Sequence, residues 1–147
     1  MRNNMIEYGE PPVEAQQLPV DQQLISRMGI TIDLCGPGQV RGHMPVDGNR
    51  QPVGILHGGA NAVLAETLGS LAAFLHAGPR GSAVGIDLSC THHRWVASGD
   101  VTGVCTPLFE GDRFASYAIE ITDQWEQLTC TARLTAAITP ARQGRTQ

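Results

Sequence analysis

Residues 57–76 read HGGANAVLAETLGSLAAFLH, and the prediction of the fold starts from them. It is dominated by alanine, leucine and valine, contains no proline, and would form a helix that is apolar on almost every side. A surface helix carries a single apolar stripe, whereas a helix that is apolar all round is buried. The sequence therefore predicts a long buried helix from His57 to His76, which the glycine and proline that follow bring to an end.

Short strand-like runs stand on both sides of this helix, separated by turns rich in glycine and aspartate. Two runs precede the helix and four follow it, at residues 30–34, 39–46, 83–92, 101–107, 113–122 and 128–138. This order predicts an α+β fold in which an antiparallel β-sheet wraps around one long central helix. Because one small sheet leaves the far side of the helix uncovered, we expect a second copy of the chain there, giving a dimer or a dimer of dimers.

The chain of 147 residues has the size of one domain. We predict that domain over residues 18–140, opening with a short helix over residues 18–28 that ends at Gly29. The polar, proline-containing residues 1–17 indicate a flexible N-terminal arm, and residues 141–147 a flexible C-terminal tail.

Composition and charge narrow the classes of function. A net charge of −4 provides no overall basic field for a nucleic-acid backbone. No secretory signal is visible, and the most apolar stretch, residues 62–75, is too short to span a bilayer and contains Glu66. The four cysteines are spread without a C-x-x-C pair, which favours reduced thiols. We therefore expect a cytoplasmic protein that binds neither nucleic acid nor membrane.

Glu66 is the ionisable residue inside the apolar helix, with the hydroxyls of Thr67 and Ser70 close by. Glutamate is seldom buried without a partner, and carboxylates in apolar surroundings are common at catalytic sites. Ser70, one helical turn after Glu66, can orient that carboxylate. A structural role, in which Glu66 bonds Ser70 or a partner chain, stays open on position alone.

A candidate oxyanion site stands at the start of the same helix. Gly58 and Gly59 leave the first amide groups unobstructed, and those N–H groups have no partner within the helix. Helix starts of this kind stabilise developing negative charge. Gln51 adds a neutral amide donor nearby, although a plain loop-to-helix turn would also use two glycines.

The spacing of these groups bears on the assembly. Gly58 and Glu66 lie eight residues apart, which is about 12 Å along a helix. A carboxylate must approach its reacting partner to about 3–3.5 Å. Two antiparallel copies of the helix meet that requirement more readily than one chain does. We therefore expect a homo-oligomer whose sites are shared between subunits.

Two histidines and an arginine follow one another where the strand over residues 83–92 ends. Alternation puts His92 and Arg94 on one face and His93 on the other, so the histidines are a poor chelating pair. Arg94 and Arg113 are candidates for phosphate contacts, although single arginines are usually solvated. The chain also lacks P-loop, Rossmann, G-x-S-x-G and H-E-x-x-H motifs, and we expect no metal.

A resemblance rests on one spaced motif, Gln51-Pro52-x4-His57-Gly58-Gly59-x4-Leu64-Ala65-Glu66-x3-Ser70. In this motif the chain closely resembles hotdog-fold acyl-CoA thioesterases. It is similar to the branch with the Arthrobacter-type 4-hydroxybenzoyl-CoA, 1,4-dihydroxy-2-naphthoyl-CoA and phenylacetic acid degradation thioesterases. The resemblance runs from about residue 29 to residue 138. It implies a hotdog fold, hydrolysis of an aryl- or hydroxyaryl-CoA to free acid and CoA, and no cofactor, since CoA is part of the substrate.

The resemblance also implies roles for individual residues. Gln51 and the Gly58 amide polarise the thioester carbonyl, and His57 helps to position the site. Glu66 acts as nucleophile or general base, with the Ser70 hydroxyl beside it. The residues implied in binding the substrate and its CoA part are Gly59, Gly85, His92, His93, Arg94, Phe109, Gly111 and Arg113.

Two other functions are compatible with the sequence. One is a hotdog dehydratase or hydratase acting on acyl thioesters, which typically pairs a histidine with an acidic residue. The other is a non-catalytic acyl-CoA binding module. The glutamate spacing favours the thioesterase over both. The acyl group stays undetermined, and acyl carrier protein is an alternative to CoA as the carrier.

Overall fold

A computed structural model describes residues 22–78 and 81–139. Its elements are α1 (Leu24–Arg27), β1 (Thr31–Gly36), β2 (Gln39–Pro45), α2 (Gly58–Ala77), β3 (Ser82–His92), β4 (Asp100–Glu110), β5 (Phe114–Thr122) and β6 (Leu128–Thr139). The predicted arm and tail, residues 1–17 and 141–147, lie outside the described residues, as does the start of the helix predicted over residues 18–28. Of that predicted helix, the described residues contain the single helical turn α1.

The six strands form one antiparallel sheet in the order β1-β2-β4-β5-β6-β3. Helix α2 packs against this sheet and contacts all six strands. Buried apolar side chains from the helix and from the sheet form one core between them. The prediction of a hotdog fold, with an antiparallel sheet around one long helix, is confirmed.

Helix α2 lies close to the sheet because glycine stands at the points of contact. A Cβ atom on Gly69 would lie 2.4 Å from Cδ2 of Leu134 on β6. On β4, a Cβ atom on Gly103 would lie 2.6 Å from Cδ1 of Leu68. Leu68 is fully buried, so these small residues let its side chain and the helix backbone reach the sheet.

One chain covers only one side of α2. Leu64, Leu68 and Ala73 are fully buried on the side that faces the sheet. On the other side Phe74 keeps 57% of its surface exposed among the described residues. The expectation that the sheet of a single chain would leave part of an all-apolar helix uncovered agrees with this packing.

Two details of the strands and loops differ from the sequence prediction or qualify it. Strand β4 continues to Glu110, whereas the predicted strand ends at Pro107. The register with β5 shifts between Pro107 and Phe109, so the strand passes the proline through a bulge, where a missing N–H is tolerated. Strand β3 ends at His92, so the predicted alternation of side chains does not extend to His93 and Arg94.

The four cysteines are free thiols, as predicted. Cys105 and Cys130 are fully buried, and Cys35 is exposed. Burial raises the pKa of Cys105 to about 12, and the negative charge of Glu110 adds to the effect. Among the described residues, no helix is long and apolar enough to cross a membrane.

Candidate active site

The start of α2 is capped by a histidine. His57 has extended backbone angles and precedes the first helical residue, and its Nδ1 accepts a hydrogen bond of 2.8 Å from the Gly59 N–H. Its carbonyl oxygen accepts from the Ala60 N–H. Among the described residues, no hydrogen-bond acceptor is found for the Gly58 N–H. That N–H is therefore the donor that this helix start offers to a ligand.

His92, the last residue of β3, lies over Gly58. A Cβ atom on Gly58 would be 2.9 Å from the His92 Nε2, so only glycine leaves the imidazole this position. The Asn61 Nδ2 lies 3.4 Å from the other ring nitrogen, Nδ1. This contact leaves the second ring nitrogen, Nε2, next to Gly58.

Gln51 is held beside the helix start by a tight turn. Its N–H donates to the Ile55 carbonyl and its own carbonyl accepts from the Gly54 N–H, both at 2.9 Å. Gly54 adopts a φ of 86°, a conformation that side chains disfavour and that closes the turn. The guanidinium of Arg50 joins this turn to Asp47 and to the Ala97 carbonyl. The loop before α2 is thereby fixed to the segment after β3.

Gln51, Gly58, Asn61 and His92 line one cavity of about 310 Å³. The segment after β3 closes its other side, through residues 93–96. His93 and Arg94 are therefore both at this cavity, and the His93 Nε2 lies 2.8 Å from the Thr131 hydroxyl. The cavity combines the unpaired amide of Gly58, the Gln51 side chain and an imidazole, all of which can donate to a carbonyl oxygen.

Glu66 lies elsewhere, where the uncovered side of α2 meets the edge strand β3, and is partly buried. Its Oε1 accepts a hydrogen bond of 3.1 Å from the Ser70 hydroxyl, which is the contact predicted from their spacing. The same oxygen lies against β3, where a Cβ atom on Gly85 would be 2.4 Å away. Gly85 is thus placed beside the carboxylate and not in the cavity of Gly58. Its lack of a side chain leaves the space that the carboxylate occupies.

Glu66 and Ser70 are absent from the lining of the Gly58 cavity. Both Gly58 and Glu66 belong to the one continuous helix α2, so their backbones are about 12 Å apart. Within one chain the structure therefore assembles the carbonyl-binding donors at one place and the carboxylate at another.

The predicted contacts at Phe109, Gly111 and Arg113 lie at the opposite end of α2. Phe109 is near the end of β4, and Gly111 and Arg113 belong to the turn between β4 and β5. The His76 Nε2 donates to the Gly111 carbonyl at 2.9 Å. His76 follows Gly58 by eighteen residues on α2, which is about 27 Å along the helix. One chain does not bring these three residues to the cavity of Gly58.

Asn61 is a member of the site that the sequence reasoning missed. Its side chain is buried, with 5% of the residue exposed, and its Oδ1 has no hydrogen-bond partner among the described residues. Asparagine favours helix caps and turns over helix interiors, so its position inside an apolar helix was the available signal. Within residues 22–78 and 81–139, no three His, Cys, Asp or Glu side chains group closely enough to hold a metal ion.

Comparison with known proteins gives consistent matches. A family model described as the thioesterase superfamily matches residues 53–130. A thioesterase from Haemophilus influenzae is 33% identical, with 95% of this chain and 98% of that chain covered and a TM-score of 0.79. A mutant thioesterase from Pseudomonas aeruginosa is 31% identical, with 90% and 96% covered and a TM-score of 0.77. A mutant thioesterase from Staphylococcus aureus is also 31% identical, with 80% and 98% covered and a TM-score of 0.75.

Proposed function

The chain belongs to the thioesterase superfamily and is a thioester hydrolase, and we propose that it hydrolyses an aryl- or hydroxyaryl-CoA at a site shared by two subunits. In this proposal Gln51 and the Gly58 N–H of one chain bind the thioester carbonyl. The partner subunit's Glu66 supplies the carboxylate. The resemblance of the spaced motif to aryl-CoA thioesterases supports the choice of acyl group.

The separation of Gly58 from Glu66 is the observation that carries the shared site. The donors at the helix start line a cavity that contains no carboxylate among its lining residues. Glu66 faces the side of α2 that one chain leaves uncovered, as Phe74 does two turns later. A second copy packed antiparallel on that side brings the two groups together. It also brings Phe109, Gly111 and Arg113 of one chain towards the cavity of the other.

The chemistry then needs one carboxylate and one oxyanion site. Water, activated by loss of a proton to Glu66, attacks the carbonyl carbon, and the negative charge that develops on the carbonyl oxygen is held by the Gly58 N–H and the Gln51 amide. Donors aimed at such an oxygen are worth about 3–4 kcal/mol each. The C–S bond breaks next, and the CoA thiolate leaves and receives the proton from Glu66. Ser70 keeps the carboxylate oriented through its 3.1 Å hydrogen bond.

Thiol release from a panel of thioesters tests the reaction and the acyl group together. The panel comprises benzoyl-, 4-hydroxybenzoyl-, phenylacetyl- and medium-chain acyl-CoA, with one acyl group also presented on acyl carrier protein. Because Cys35 is exposed and would react with the thiol reagent, the assay uses a Cys35→Ser background. We expect the highest kcat/KM for an aryl-CoA, and a preference for aliphatic chains would contradict this assignment.

Complementation tests the shared site. A Glu66→Ala chain and a Gln51→Ala, Gly58→Ala chain are each expected to be inactive. Mixed dimers contain one site with all its groups, so random mixing should restore about a quarter of the parent activity. The control mixes Glu66→Ala with a chain that carries all three substitutions, which cannot form a complete site. Mixed dimers that form and recover no activity would contradict the shared site.

A further inference from the structure

A second cavity adjoins the one at the start of α2. It has a volume of about 460 Å³ and is lined by two tryptophans, Trp95 and Trp125. The two cavities share the segment Arg94, Trp95 and Val96 as a common wall. A molecule that enters the first cavity from this side therefore passes over Arg94 and the tryptophans.

Both tryptophans are unusually exposed for their size. Trp95 keeps 70% and Trp125 66% of its surface exposed. Large aromatic side chains are usually buried in the core, and exposed apolar groups that cluster mark binding surfaces. These two rings come from segments far apart in sequence, one after β3 and one between β5 and β6, and meet at one cavity.

Hydrogen bonds fix the backbone beside each tryptophan. The buried Asp123 carboxylate accepts the N–H groups of Trp125 and Gln127 at 2.9 Å each, which fixes the turn between β5 and β6. On the other side, the Val96 carbonyl accepts the Leu56 N–H at 2.8 Å, next to Trp95. The rings are thus presented by ordered backbone, which reduces the entropy lost when a ligand binds.

Arg94 supplies a positive charge at the junction of the two cavities. Its side chain is exposed, and among the described residues no carboxylate forms an ion pair with it. Guanidinium groups bind phosphate oxygens through paired hydrogen bonds. A ligand that combines a flat aromatic ring with phosphates therefore matches the chemistry of this surface.

We propose that Trp95 and Trp125 bind the adenine ring of the CoA part of the substrate, with Arg94 contacting its phosphates. The proposal rests on the proposed function, and it selects CoA over acyl carrier protein, which carries no adenine. The second cavity is open at the surface, where the far end of the carrier belongs. An acyl group would instead require a cavity that is closed to water. Base stacking on aromatic side chains tolerates such exposure.

Fluorescence tests the site without catalysis. Trp95 and Trp125 are the only tryptophans of the chain, so emission reports on this cavity directly. Adenosine 3′,5′-bisphosphate, which reproduces the nucleotide end of CoA, should change the emission in a saturable way. In Trp95→Ala and Trp125→Ala, the Kd measured from the remaining tryptophan should rise about tenfold. Absence of a saturable change in the parent chain would overturn the proposal.

Kinetics separate this inference from the proposed function. The same aryl group is supplied on CoA and on N-acetylcysteamine, which lacks the nucleotide. We expect Trp125→Ala, which alters the second cavity and not the first, to raise KM for the CoA thioester about tenfold, with kcat unchanged and the short thioester unaffected. Leu34→Ala, which removes an exposed apolar side chain from β1, is the matched control. Equal losses on both thioesters, no loss on either, or a changed association state would each overturn the assignment to adenine. A parent chain that hydrolyses neither thioester would refute the proposed function instead.

Discussion

At the scale of single residues, glycine sets the geometry of both halves of the candidate site. Gly58 makes room for His92, and Gly85 makes room for the Glu66 carboxylate. In each case the added methyl group would strike the far end of a side chain and not the backbone. Such a substitution can be accommodated by a side-chain movement. It should therefore lower the rate of the reaction more than the stability of the fold.

Gly85→Ala tests this directly. A Cβ atom 2.4 Å from the Glu66 Oε1 would push the carboxylate away from Ser70. A misplacement of about 1 Å in a reacting group can cost about a hundredfold in rate, so we expect kcat to fall by that order. The melting temperature should change little. Gly36→Ala, where no atom lies within 4 Å of the added Cβ, serves as control, and a fully active Gly85→Ala would contradict this account of Glu66.

At the scale of elements, the contact between α2 and β6 positions the helix that carries Gly58 and Glu66. Gly69 faces Leu134, whose Cδ2 and Cβ would lie 2.4 and 3.0 Å from an added Cβ. The second of these atoms is fixed to the backbone of β6, so a rotamer change of Leu134 cannot relieve the clash fully. The helix would have to move outward, and Glu66 and Ser70 would move with it.

Gly69→Ala should therefore lower the stability of the protein. Overpacking in a core costs about 1–3 kcal/mol, which exceeds the gain of about 1 kcal/mol that alanine provides over glycine inside a helix. Urea unfolding, compared with Gly36→Ala, measures the difference. An increase in the free energy of unfolding would mean that α2 and β6 leave room for the added methyl group, contrary to the distances between Gly69 and Leu134.

At the scale of the whole molecule, two features point to the same missing partner. Among the described strands, β3 is at the edge of the sheet and pairs with β6 alone. On the adjoining helix, Phe74 is 57% exposed on the side that carries Glu66. An unpaired edge and an uncovered apolar face on one side of a chain are what a second copy would cover.

Phe74→Lys should separate the subunits, because the lysine ammonium cannot be buried unpaired between two helices. We expect a folded monomer by circular dichroism and light scattering, with thiol release lost because each site has lost its carboxylate. Leu34→Lys on β1, at the other edge of the sheet, should keep the association state and the activity. A monomeric Phe74→Lys that still hydrolyses thioesters would refute the shared site.

The order of elements, the single long helix and the antiparallel sheet were all predictable from the amino-acid sequence. These features follow from apolar periodicity and turn chemistry, which are local properties of the chain. The contact of Ser70 with Glu66 was predictable for the same reason, since residues four apart share a helix face. The residue at which β4 ends could not be predicted, because the bulge that lets the strand pass Pro107 depends on the partner strand.

Which distant residues share a cavity is a property of the packed fold and could not be predicted. Asn61 and His92 are thirty-one residues apart, and Trp95 and Trp125 belong to different loops. The first pair meets because α2 packs against β3, and the second because β3 pairs with β6 at the sheet edge. Strand order is set by the packing of the whole core. The same packing holds Gly85 against Glu66. Local sequence carries no information on such contacts, because they form only when the sheet closes on α2.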